Sequence, residues 1–105
     1  MWALEVSILR IISDDFPGLV ECELVDASGQ SWLFIEKIPV VSSEHIWLDS
    51  EFPQPGFIAC SILSSSALAR DDLVEVETDG PWGIRSLNDH SRFVVRPGQI
   101  VEIVE

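Results

Sequence analysis

From Trp2 to Ile8 the even positions Trp2, Leu4, Val6 and Ile8 are apolar and the odd ones mixed, the two-residue period of a strand with one buried face. The pattern stops after Ile12 at SDDFPG, a turn signal. Val20, Cys22 and Leu24 then face one way and Glu21 and Glu23 the other, and the run ends at DASGQ, where Gly29 suits a left-handed turn position. SWLFIEKI returns as the second arm of a hairpin. Trp32 to Ile35 are all apolar, which predicts a strand covered on both faces or one lying where the sheet curls over itself, and it reads as central.

FIACSIL at Phe57 to Leu63 has the same continuous apolar character, and DLVEVET at Asp72 to Thr78 alternates again, with Val74 and Val76 inward and Glu75 and Glu77 outward. RFVVR at Arg92 to Arg96 and IVEIV at Ile100 to Val104 follow, joined by PGQ. Short runs broken by Pro and Gly, with no long 3.6-residue apolar period, predict an all-β fold. The expected form is a small barrel or sandwich of six to seven mostly antiparallel strands with one or two short helical turns. The helical turns are expected at SSEHIWL, with Ser42 or Ser43 capping before Glu44, and at SSSALARDD, with Ser66 before Ala67.

At 105 residues, 47% of them hydrophobic and with four Trp and five Phe, the chain reads as one ordered domain spanning 1–105. Charge narrows the choice of partner. The formal net charge is −12, with ten acids against two cations in residues 1–53 and eight against four in 54–105. A field of that sign repels phosphate backbones and attracts basic protein surfaces, so a basic protein is the expected partner and nucleic acid is not.

The two cysteines, Cys22 and Cys60, sit within apolar runs without CxxC or metal-ligand spacing and read as buried, reduced thiols. The N-terminal MWALEVSILRIISDD has Glu5 before its first cation, and no apolar run reaches the roughly 20 residues of a membrane span. The expectation is a soluble cytoplasmic protein with no membrane partner.

Candidate chemistry is sparse. His45 lies near Glu44, Asp49 and Glu51 in the longest connection, Pro39 to Gly56, but the spacing fits neither an EF-hand nor a zinc site. Alternation sends Glu75 and Glu77 to solvent rather than into a carboxylate pair with a raised pKa. The thiols occupy inward strand positions, and no G-x-S-x-G, Walker, G-x-G-x-x-G or H-E-x-x-H motif occurs. We therefore expect no catalytic residues, no metal and no cofactor.

The stretch DGPWGIRS at Asp79 to Ser86 sets an indole in a stiff frame of Pro81, Gly80 and Gly83, followed by a cation, Arg85. Trp and Arg are enriched at binding hot spots. Two readings follow: Trp82 plugs the end of the barrel while Arg85 pairs with a carboxylate, which is the expectation here, or both meet a partner. Partner-binding candidates are His45, Trp47, Trp82 and Arg85, with Trp47 the more exposed indole.

The segment with PGLVECELVDASGQSW, FIEKIPVVS and FPQPGFIACSIL, followed by ETDGPWGI, resembles a set of small, acidic, uncharacterised bacterial proteins. That resemblance implies no activity and assigns no residue a role. The closing RPGQIVEIV is similar to the last hairpin of the β-barrel domains of translation GTPases, which implies fold alone. Together these features point to an acidic, non-enzymatic protein-binding module of the immunity or inhibitor type. The alternative is a small enzyme or ligand-binding barrel with its site at the mouth between Pro39–Gly56 and Asp79–Ser86.

Overall fold

The computed structural model describes residues 1–43, 46, 50–64, 73–80 and 82–103. Strands run at Trp2–Ser13 (β1), Leu19–Val25 (β2), Ser31–Lys37 (β3), Gln54–Ser64 (β4), Val74–Glu77 (β5), Arg92–Val95 (β6) and Ile100–Glu102 (β7). A single helical turn, Ile38–Val41 (α1), follows β3, and a 3-10 turn at Pro97–Gln99 links β6 to β7. The strands form one mostly antiparallel sheet in the order β3-β2-β1-β4-β5-β6, with β7 added to β1. The sheet curls into a half-barrel, as the all-β reading expects.

β1 organises the sheet because its 12 residues serve two neighbours along one edge. Its first residues pair with β7, Trp2 opposite Glu102 and Leu4 opposite Ile100, and its later ones pair with β2, from Ser7 opposite Glu23 to Ser13 opposite Leu19. Its other edge is taken by β4, from Trp2 opposite Cys60 to Ile8 opposite Gln54. Period-2 alternation then aims Leu4, Val6, Ile8, Val20, Cys22, Leu24, Ile58, Cys60, Val74 and Val76 into one core. Trp2, expected on that face, is 41% exposed because it is the first residue of its strand and sits at the rim.

β3 differs from expectation: it is an edge strand rather than a central one. Its apolar run follows from the other reading, the curl of the sheet over itself. Trp32 and Phe34 face the interior and meet Phe93 of β6, with ring centroids 5.3 and 5.7 Å apart. The curl thus brings together the two ends of the strand order. Leu33 turns outward, and its carbonyl accepts the Leu87 N–H at 2.8 Å. The Ala27 N–H likewise donates to the Val94 carbonyl at 2.9 Å. These bonds occupy sheet edges that would otherwise present unpaired backbone groups to other chains.

A helical turn that the sequence reading does not anticipate forms at α1: Pro39 lies in its first turn, and Ser42 is its C-terminal cap, donating its N–H to the Ile38 carbonyl at 2.9 Å. The turn expected from Glu44 within SSEHIWL falls largely outside the described residues. Val41 is buried, and Gly56 on β4 lets the turn approach: a Cβ there would lie 2.7 Å from the Ile8 side chain and 3.3 Å from the Val41 carbonyl oxygen. The connection Pro39–Gly56 is shorter than it reads, since α1 occupies its start and β4 its end. The helical turn expected at SSSALARDD lies outside the described residues.

Candidate functional site

The stretch DGPWGIRS resolves into an anchor and a tip. Thr78 is fully buried, and its hydroxyl donates to the Ile84 carbonyl at 2.6 Å while the Ile84 N–H donates back to the Thr78 carbonyl at 3.1 Å. The Thr78 N–H also donates to the Ser91 carbonyl at 2.8 Å, closing the loop at its base. These bonds hold Ile84 in the core at 2% exposure, whereas Trp82 is 53% exposed. The expectation that Trp82 is the plug is therefore corrected. Ile84 is the plug, and Trp82 lies exposed outside the closure that Thr78 and Ile84 make. Gly83 at φ +66 makes the return, its N–H donating to the Asp79 carbonyl at 2.6 Å.

Trp82 stands over an open apolar groove of about 310 Å³. Phe57 and Ala59 line it, two positions apart and thus on one face of β4, together with Met1, Ile103 and the turn Pro39–Ser43. Register explains the company: Ala59 lies opposite Ala3, which lies opposite Val101, so the outward face of β7, β1 and β4 supplies this surface. Ile103 continues the pairing by donating its N–H to the Met1 carbonyl at 2.8 Å. Met1 and Ile103 are 41% and 37% exposed, so these two side chains and the Trp82 indole form one apolar patch. Contiguous patches of this kind mark contact surfaces more often than scattered exposed residues do.

The described lining of the groove is largely apolar. Among the described residues, its lining holds Ser42 and Ser43 as the polar side chains and no carboxylate, imidazole, thiol or lysine. Burial pushes the thiol of Cys22 up to about 12, with Glu36 and Glu21 adding to the effect, and that of Cys60 up to about 11. Both are buried and free, as expected. A thiol held that far above neutrality is a poor nucleophile.

Arg85 is exposed and spans its own loop, with Nε 3.4 Å from Asp79 Oδ1 and Nη1 3.4 Å from Asp89 Oδ1. Two other cations are taken in the same way, Arg10 by Glu21 at 3.1 Å and Arg92 by Glu77 at 2.9 Å. Pairing within the molecule leaves the surplus of carboxylates facing solvent. Glu75 and Glu77 point away from the core, as their alternation with buried Val74 and Val76 requires.

Of the four candidates read from sequence, Trp82 and Arg85 share one loop, and of these two Trp82 borders the groove. His45 and Trp47 lie outside the described residues. Sequence reasoning missed Met1, Phe57, Ala59 and Ile103. The one signal for Phe57 is the unbroken apolar run FIACSIL, which implies that both faces of β4 have a use. Among the described residues, no three His, Cys, Asp or Glu side chains gather as metal ligands, and no helix is long and apolar enough to cross a membrane. Compared with known proteins, the chain matches no family model, no curated protein and no solved structure.

Proposed function

We propose that this protein is an acidic, non-enzymatic binding module of the immunity or inhibitor type, acting in the cytoplasm on a basic protein partner. The observation that carries the reading is Trp82, half exposed over an apolar groove in a chain of net charge −12. A large aromatic on a loop closed by buried hydrogen bonds is a pre-ordered anchor, so little freedom is lost when it is covered. The surrounding charge speeds encounter with a basic surface and rejects acidic ones. Arg85 serves the loop's shape by joining Asp79 to Asp89.

The alternative, a small enzyme or ligand-binding barrel, draws support from the position of the groove between Pro39–Ser43 and Trp82, where that reading puts its mouth. It is the weaker of the two because small-molecule sites need a few convergent polar groups, and the described lining offers two serines.

Immobilised protein should retain a partner of high isoelectric point at about 50 mM salt and release it as ionic strength rises and screening shortens to about 3 Å at 1 M. Trp82→Ala should weaken the same complex about 30-fold, the equivalent of about 2 kcal/mol. An acidic partner, binding indifferent to salt, or undiminished binding by Trp82→Ala would overturn the reading.

A further inference from the structure

We propose that the partner segment seated on this groove carries a cation beside its apolar anchor, and that Glu5 receives that cation. The inference rests on the protein-binding reading above and names the chemistry of the bound segment. Glu5 lies directly opposite Phe57 in the antiparallel pairing of β1 and β4. Opposed residues share a face with Cβ atoms roughly 5 Å apart, so the Glu5 carboxylate stands at the margin of the groove that Phe57 lines.

Glu5 is exposed, and among the described residues its side chain has no hydrogen-bond or ion-pair partner. By contrast Glu21 pairs with Arg10, Glu77 with Arg92, and Asp79 and Asp89 with Arg85. The groove thus offers an apolar floor and, at its edge, an acid with no counter-charge among the described residues. A segment alternating apolar and basic side chains matches this layout. A second copy of this chain does not, because it brings the same net −12.

Three capped heptapeptides, alternating lysine with leucine, lysine with serine, and glutamate with leucine, are titrated into the isotope-labelled protein and followed by amide and indole NMR shifts. The lysine–leucine peptide should move the resonances of Met1, Phe57, Ala59, Ile103 and the Trp82 indole, and the other two should bind at least tenfold more weakly. Glu5→Gln should weaken binding of the lysine–leucine peptide about threefold, the scale of one exposed ion pair.

Asp14→Asn supplies the control. It removes the same charge just past the far end of β1, nine residues and roughly 30 Å away along the extended chain, beyond the screening length of about 10 Å at 0.1 M salt. Its effect should be negligible. Equal effects of Glu5→Gln and Asp14→Asn, or equal binding of the glutamate–leucine peptide, would overturn the assignment of Glu5 while groove shifts kept the protein-binding reading in place. Groove shifts that track protein concentration without peptide would make the occupant a second copy and overturn the proposal. No groove shift with either lysine peptide would overturn both the proposal and the reading beneath it.

Discussion

Trp82 and Ile84 stand two residues apart, and the smaller of the two is the one buried. Hydrophobicity alone would bury the indole, since it carries more apolar area. Backbone satisfaction decides otherwise. Ile84 exchanges hydrogen bonds with Thr78, whose hydroxyl and carbonyl would lose these partners in the core if the loop shifted to carry Trp82 inward. Ile84→Ala should therefore cost about 2–5 kcal/mol, as for other buried aliphatic truncations. Trp82→Ala should stay within about 1 kcal/mol because roughly half of its surface is already wet. Urea unfolding of both variants checks this, and a larger loss for Trp82→Ala than for Ile84→Ala would reverse the assignment of anchor and tip.

At the scale of elements, the β2–β3 hairpin is closed by one carboxylate. Asp26 Oδ1 accepts the Ser28 hydroxyl at 2.7 Å and the N–H groups of Ser28 and Gln30 at 2.9 and 3.0 Å, while Oδ2 accepts the Trp32 indole N–H at 2.9 Å. Gly29 at φ +89 completes the turn. Burial pushes the Asp26 carboxyl upward, but the bonds from Trp32, Ser28 and Gln30 outweigh it and hold the group below its ordinary 3.8. A lowered folded-state pKa means that the ionised form favours folding. That contribution is full above 3.8 and fades as pH falls through the lower folded value. Wild type should lose stability between pH 6 and pH 2.5 by more than Asp26→Asn does, as read from urea midpoints. Equal losses would show that the turn does not depend on the charge.

Over the whole molecule, β1 joins what would otherwise be separate halves, and the two thiols report on that union. Cys22 on β2 lies opposite Ile8, and Cys60 on β4 lies opposite Trp2, so the pair flanks β1 on both sides. Both thiols are 3% exposed or less. Access to either requires separation of strands that share one core, an opening drawn from the high-stability end of local fluctuations. A thiol reagent should label both slowly in the native protein, with rates that rise in parallel as urea is added. Fast labelling of one alone would mean that β2 or β4 opens independently. The charge of −12 also acts at this scale. Self-repulsion opposes compaction, and the pairs Arg10–Glu21, Arg92–Glu77 and Arg85 with Asp79 and Asp89 relieve it locally without changing its sign.

The sequence by itself determined the elements and their facing. Alternation at Val20, Cys22 and Leu24 and at Val74 and Val76 is a local property of each strand, and Gly29 or PGQ marks a turn wherever the strands go. Net charge is likewise a sum over residues and needs no fold. Only the tertiary structure decided matters that depend on residues far apart in the chain. The run at Trp32 to Ile35 reads as a central strand, yet it lies at an edge because Phe93 and Leu87, more than 50 positions later, supply its cover. Trp82 reads as a plug until Thr78 and Ile84 are seen to close the loop beneath it. The groove gathers Met1, Phe57, Trp82 and Ile103 from four segments, and strand pairing sets Glu5 opposite Phe57. Periodicity tells each strand which side to bury, whereas pairing and curl choose which outward side chains become neighbours.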